Sequence, residues 1–233
     1  MNIEASHTTV FMVDDDLAVL KALTRLLRAA GFAAQSFQSP EAFLAQHNPD
    51  AAGCLVLDIC MPDLGGLALQ RALTTAGNER FIVFITGHGD IPTSVQAMKD
   101  GAVDFLVKPF HDEDFLAAVR CAIARDQSAR KMRAWLQAIR RRLATLTPRE
   151  REVLHHVVAG RLNKQIAADL GTVEKTIKVH RARVMEKMAV ASLAELVRIA
   201  VQIGLGPAGP GSADNNGASF RSLEMDHAVR DRL

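Results

Sequence analysis

FMVDDDLAVL, residues 11–20, decides how the front half of this chain is read. Three apolar residues, Phe11, Met12 and Val13, run directly into three acids, Asp14, Asp15 and Asp16. Adjacent carboxylates repel one another, and burial raises the cost, so such a cluster is relieved either by a proton or by a cation. The end of a buried strand is a natural place for it only if the strand belongs to a parallel sheet, because ligands bind outside the carboxyl ends of such strands.

The residues that follow fit such a sheet. A strand is expected over 10–13 and a helix over 19–30, with Val19, Leu20, Leu23, Leu26 and Leu27 on one face and Gly31 at its end. Residues 32–37 form a weaker strand. Ser39 and Pro40 open the next helix as N-cap and first residue. Residues 54–57 make an apolar strand ending at Asp58, followed by a helix over 67–75. The pattern then repeats: strand 81–85, helix 91–99, strand 103–107, helix from 112 to about 124 or beyond. Short apolar strands alternating with helices predict an α/β fold, a doubly wound five-stranded parallel sheet covered on both faces. That fold brings Asp14–Asp16, Asp58, Thr86 and Lys108 to one edge.

Residues 126–145 are polar, basic and free of Gly and Pro, and are read as a linker helix. Trp135, Leu136, Ile139 and Leu143 give it a narrow apolar stripe suited to a neighbouring domain or a second subunit. From 146 to 205 only helices are expected. Thr147-Pro148-Arg149-Glu150 carries the signature of a helix start. Gly160 stops that helix. A short helix over 163–170, capped by Asn163, ends at Gly171; a Lys/Arg-rich helix spans 173–188; a closing helix spans 192–203. This is a small all-α four-helix domain. The tail, 206–233, is rich in Gly, Pro, Ser and Asn and is expected to be disordered.

Charge divides the chain in the same place. Residues 1–124 hold 8 Lys/Arg against 15 Asp/Glu, whereas residues 125–205 hold 17 against 7. An acidic front half joined to a basic module points to a polyanion as partner of the second. Hydrophobic residues make up 48% of the chain, enough for packed cores and against global disorder. No apolar run approaches the ~20 residues of a membrane span, and the start of the chain lacks the basic-then-apolar pattern of a secretory signal. Three cysteines without metal-ligand spacing, Cys54, Cys60 and Cys121, read as inert thiols in a reducing cytoplasm. His155 and His156 are adjacent on a helix, so they share no face and make no metal site.

The acidic edge suits a hard divalent cation such as Mg²⁺, which takes one or two carboxylates and keeps several waters. With Lys108 as a fixed charge and Thr86 as a hydroxyl donor, it would stabilise three oxygens of a transferring phosphoryl group, and a central carboxylate can accept that group covalently. Asp14-Asp15, Asp58 in LVLDICMPDLGG, Thr86 in FITGHGD and Lys108-Pro109-Phe110 together resemble the receiver domain of two-component response regulators, over residues 8–125. The resemblance implies a flavodoxin-like fold. It implies that Asp58 is the phospho-acceptor and that Asp14, Asp15, Asp58 and the backbone carbonyl of Cys60 hold Mg²⁺ or Mn²⁺. Thr86 and Lys108 would bind the phosphoryl oxygens, Phe105 would be the switch aromatic, and the Lys108-Pro109 bond would be cis. Asp16 is read as support or helix N-cap rather than ligand, and the Cys60 thiol as incidental.

Residues 146–205 resemble a LuxR-type helix-turn-helix of the FixJ/NarL group, on LTPREREVL, AGRLNKQIAADLG, TVEKTIKVHRARVMEKM and SLAELVRIAV. By that resemblance Lys178, Val179 and Ala182 face bases, while Lys164, Lys175, Thr176, His180 and Arg183 are candidates for phosphates. Ile177, Val184 and Met188 are expected in the core. The expected function is a cytoplasmic, DNA-binding transcriptional regulator. A sensor histidine kinase would phosphorylate Asp58, and phosphorylation would promote homodimerisation, release of the DNA-binding domain, or both. RNA polymerase is a further candidate partner. Two alternatives stand beside it. One is a Mg²⁺-dependent phosphohydrolase, since Asp14-x-Asp16 loosely mimics a phosphatase nucleophile motif, though Ala18 departs from it. The other is a DNA-binding regulator whose receiver only docks partners, independently of phosphate.

Overall fold

Successive side chains of a strand point to opposite faces, and the first strand, β1 (Thr9–Val13), uses both. Val10 and Met12 enter one apolar cluster, Phe11 and Val13 another. Four more strands repeat this: β2 (Ala33–Phe37), β3 (Gly53–Asp58), β4 (Phe81–Thr86) and β5 (Asp104–Val107). All pairs are parallel, in the order β2-β1-β3-β4-β5. This is the flavodoxin-like order, with its switch point between β1 and β3. The computed structural model describes residues 8–62, 65–78, 80–87 and 91–205, with the side chains of 91–93 excepted. The tail expected to be disordered lies outside these residues.

Helices α1 (Leu17–Ala29) and α5 (Asp112–Ala144) cover one face of the sheet. Leu20, Leu23 and Leu27 of α1 meet Phe115, Ala118, Val119, Ala122 and Ile123 of α5 over Val10, Met12, Val56 and Ile85. Helices α2 (Pro40–Gln46), α3 (Gly66–Thr75) and α4 (Ile91–Lys99) cover the other, around Phe43, Leu69, Leu73, Phe84 and Ala97. The sheet is therefore doubly wound, as expected. Asp16 caps α1: its carboxylate accepts from the N–H groups of Ala18 and Val19 at 2.7 and 3.4 Å. Ser39 caps α2 by accepting from Ala42.

The chain divides into two compact units, Met1–Met132 and Arg133–Leu233, and the division falls inside α5, which runs unbroken to Ala144. The part of α5 past Ala124 is held in the first unit by Asp126, 2% exposed. It accepts from the Gly53 N–H at 2.9 Å and from Arg130 Nε at 2.8 Å. Arg130 in turn donates to the carbonyls of Asp50 and Ala51 at 2.8 and 2.7 Å. This polar clamp sits where β3 begins, at the opposite edge of the sheet from the acids.

The second unit has its own core. Ile139 and Leu143, from the stripe expected on the linker helix, are buried in it with Val153, Leu154, Ile166, Ile177, Val184, Met188, Leu196 and Ile199, and Trp135 packs against it. Its helices are α6 (Pro148–Val158), α7 (Asn163–Asp169), α8 (Glu174–Lys187) and α9 (Leu193–Gln202). Thr147 and Glu150 form the expected capping box at α6. One cap differs from expectation. Leu162, not Asn163, precedes α7, and its N–H donates to Gln165 Oε1 at 2.9 Å. The Asn163 side chain is engaged elsewhere, accepting from Arg181 at 2.7 Å.

Candidate functional site

Strand ends bring the acids together. Asp14 follows β1, Asp58 is the last residue of β3, and the two are 1% and 4% exposed. Asp15 is exposed, yet one carboxylate oxygen from each of Asp14, Asp15 and Asp58 lies within 4.8 Å of the others. Lys108, after β5, reaches across: its ammonium donates to Asp14 Oδ2 at 2.6 Å and to Asp58 Oδ1 at 3.2 Å. One ammonium against three carboxylates leaves the cluster with excess negative charge. Three carboxylates around one point are a hard, all-oxygen donor set of the kind Mg²⁺ accepts, with room for a backbone carbonyl and waters.

Electrostatics follow from this imbalance. Burial pushes the Asp58 carboxyl above the usual range; the Lys108 charge and hydrogen bond pull it down, and Asp14 and Asp15 push it up again, so it stays raised. Burial acts to lower the Lys108 pKa, but its hydrogen bonds and attraction to Asp14 and Asp58 outweigh that, and it ends raised. Asp16 does not join the donor set. It caps α1, and its N–H donates to Asp14 Oδ1 at 2.8 Å, which fixes the Asp14 carboxylate in place.

The remaining residues of the edge are set by local chain geometry. Thr86 ends β4 and is fully buried; its carbonyl accepts from the Lys108 N–H at 2.7 Å, and its hydroxyl lies 3.6 Å from the Cys60 thiol. Phe105 is half-buried on β5, opposite Phe84 in register, against the cluster under α2, α3 and α4. The Lys108-Pro109 bond is cis. Cys60 is exposed just past Asp58, whereas burial drives the Cys54 thiol up to about 12, which keeps it protonated and inert. Gly66, in the quoted LVLDICMPDLGG motif, has a steric reason. A Cβ there would stand 2.3 Å from the Asp58 carbonyl oxygen, so only glycine lets α3 start against β3.

In the second unit α7 and α8 are joined by a turn at Gly171, whose φ of +60° favours glycine. Ile177 and Val184 of α8, and Met188 at its C-cap, are buried as expected. Lys175, Lys178, Val179, Ala182 and Arg183 are exposed, as is Lys164 on α7; Thr176 and His180 are partly covered. Arg181 is tied to α7, its guanidinium donating to Asn163 Oδ1 at 2.7 Å.

Sequence reasoning missed what anchors α8. Glu150, 2% exposed, accepts from Lys187 Nζ at 2.6 Å and from the Thr147 N–H at 2.9 Å. The Lys187 hydrogen bond, with those from Thr147, depresses the Glu150 carboxyl to about 2 despite burial. Lys187 also donates to the Thr145 carbonyl at 3.0 Å, and Arg142 to that of Met188 at 3.1 Å. The capping box signalled Glu150 as a helix start; nothing in the sequence paired it with a lysine 37 residues on.

Comparison with known proteins agrees with this layout. Residues 10–120 match the response regulator receiver domain, and residues 144–200 match the bacterial regulatory proteins of the luxR family. Nodulation protein W of Bradyrhizobium diazoefficiens is 44% identical over 201 residues, covering 86% of this chain and 88% of that protein. The transcriptional regulatory protein FixJ of Rhizobium meliloti is 46% identical over 199 residues, covering 85% and 98%. Among solved structures, the response regulator StyR superposes with a TM-score of 0.78 at 43% identity, over 84% of this chain and all of that one (100%).

Proposed function

The chain belongs to the transcriptional response regulators that join a receiver domain to a LuxR-type DNA-binding domain, and from that premise we propose that Asp58 is its phospho-acceptor and phosphorylation its switch. The observation that carries this is the Lys108 ammonium held between Asp14 and Asp58, at 2.6 and 3.2 Å, beside three carboxylate oxygens within 4.8 Å.

In this reading the phosphoryl donor is a phosphohistidine on a sensor kinase. One Asp58 oxygen attacks phosphorus, the P–N bond breaks, and its electron pair returns to the imidazole nitrogen, which takes a proton from solvent. Asp14, Asp15, Asp58 and the Cys60 carbonyl would hold Mg²⁺ or Mn²⁺, which supplies positive charge to the phosphoryl oxygens. Lys108 would move from the carboxylates to a phosphoryl oxygen, and the Thr86 hydroxyl would donate to another. Thr86 moving inward opens space for Phe105, which lies half-buried beside it on the next strand. Exposed Val95 and Met98 on α4 and Val107 on β5 give the remodelled face an apolar surface for a second copy. A dimer presents two α8 helices to two half-sites of duplex DNA.

This reading extends to a cytoplasmic setting, with RNA polymerase as a further partner. It keeps the domain limits read from the sequence: receiver 8–125, linker 126–145, DNA-binding domain 146–205. No helix among the described residues is long and apolar enough to cross a membrane. The test is labelling of the full chain by a radioactive small phosphodonor such as phosphoramidate. Incorporation should require Mg²⁺, be labile to hydroxylamine as an acyl phosphate is, and vanish in Asp58→Asn. Equal labelling of Asp58→Asn would refute the assignment.

A further inference from the structure

The polar clamp where β3 begins grips α5 beyond Ile123, the last residue that this helix gives to the core under the sheet. The Asp126 side chain is 3% exposed, and its Oδ2 accepts from the Gly53 N–H at 2.9 Å. Both its oxygens also accept from Arg130 Nε, at 3.0 and 2.8 Å. The other side of the clamp has no slack. Gly53 has φ of +140°, and a Cβ there would stand 1.8 Å from the Thr9 carbonyl oxygen, so the N–H comes from a glycine pressed against β1. The loop before it is held by two guanidiniums. Arg130 donates to the carbonyls of Asp50 and Ala51, and Arg80, 4.4 Å over the Phe11 ring, donates to that of Asn48 at 2.6 Å.

Hydrogen bonds are directional, so these fix how α5 is turned about its own axis as well as where it lies. Past the clamp, Lys131, Met132, Arg133 and Ala134 are exposed, and the next buried residue of the helix is Ile139, in the second core. The span from Arg130 to Ile139 is about 13 Å of helix, a length that is marginal in water by itself. An anchor at each end keeps it helical, and Asp126 makes the first anchor. We propose that Asp126 is a positioning residue for the output: by locking the rotational phase of α5 at the sheet edge remote from Asp58, it makes the linker a carrier of the receiver's state instead of a tether. This rests on phosphorylation of Asp58 being the switch, and it assigns the part of the chain through which that switch is carried.

The experiment uses the full-length chain and a duplex it selects from a random-sequence pool. Two readings are taken for each variant: labelling by phosphoramidate with Mg²⁺, and the gain in duplex affinity that the phosphodonor brings. One alanine inserted between Met132 and Arg133 leaves every clamp bond in place and turns all that follows by about 100°. It should label as the wild type does and lose the gain. Seven inserted residues return the phase to within about 20° and should keep the gain. In Asp126→Ala, labelling should persist, the gain should fall toward onefold, and the one-residue insertion should then change nothing further, a coupling that lost stability does not mimic. Backbone amides of 127–134 should exchange with solvent about 10–100-fold faster in this variant, as expected for a lost hydrogen bond to a charged group. The insertions decide the matter even if Asp126→Ala fails to fold. A full gain with one inserted residue, equal loss with one and with seven, or a wild type that labels without any gain would overturn the proposal. A wild type that does not label refutes the phosphorylation reading itself, and the proposal falls with it.

Discussion

Glu150 and Asp58 are both almost fully buried, at 2% and 4% exposure, and each accepts a hydrogen bond from a lysine, at 2.6 and 3.2 Å. Their surroundings push them in opposite directions. Glu150 faces Lys187 with the Thr147 N–H beside it, and its carboxyl falls to about 2. Burial pushes the Asp58 carboxyl up; its lysine, shared with Asp14, pulls it down only in part, and Asp14 and Asp15 add to the rise. A buried carboxylate matched by its donors is a structural joint. One held among uncompensated neighbours is a site with capacity for a further positive group. The difference lies in whether the donors around the carboxylate outweigh its burial and its charged neighbours, not in the lysine contact both possess.

The largest effect should come from breaking the matched pair. Lys187→Met leaves Glu150 buried without its counter-charge and should cost about 3–5 kcal/mol. Trp135, the single tryptophan, packs on that core, so its fluorescence during urea unfolding reports the second unit. An unchanged midpoint would mean that Glu150 is not a joint. The same pair sets a pH dependence. The folded carboxyl, at about 2, lies below its ordinary value of 4.5, so its stabilisation is present above pH 4.5 and is lost as pH falls toward 2. Glu150→Gln should remove that component from the acid-unfolding curve of Trp135.

A smaller effect should come from relieving the unmatched cluster. Mg²⁺ at about 100 times its dissociation constant should stabilise the first unit by about 2.7 kcal/mol. Calorimetry of the full chain should register this in the wild type and lose it in Asp15→Asn. The Lys187→Met defect should not respond to Mg²⁺ at all. The smallest effect concerns Cys60. Its thiol touches the Thr86 hydroxyl at 3.6 Å, yet Cys60→Ser keeps a polar group there and should label as the wild type does under oxidant. Loss of an oxidant effect in the serine variant would instead give the thiol a redox role.

Much of this was legible in the sequence because it follows from period and position. Apolar runs ending in Asp58, Thr86 and just before Lys108 placed these residues at strand ends, and a parallel sheet gathers strand ends at one edge. The core of α8 was legible for a similar reason, since Ile177, Val184 and Met188 keep helical spacing. Long-range polar pairing was not legible. Asp126 reaching the Gly53 N–H, Glu150 reaching Lys187 and Asn163 reaching Arg181 join residues whose local patterns carry no trace of the partner. The Asn163 cap shows how such a contact overrides local preference. The side chain that would cap α7 is drawn to α8, and Leu162 takes the cap position instead.

The central claim is that charge added at the acidic edge changes what the basic helix can hold. Its most direct test is binding of the full-length chain to a selected duplex, with and without Mg²⁺ and phosphoramidate, for the wild type and Asp58→Asn. The account predicts that the phosphodonor tightens binding by the wild type only with Mg²⁺ present, and leaves Asp58→Asn where it began. Equal affinity with and without phosphodonor, or the same gain in Asp58→Asn, would contradict it.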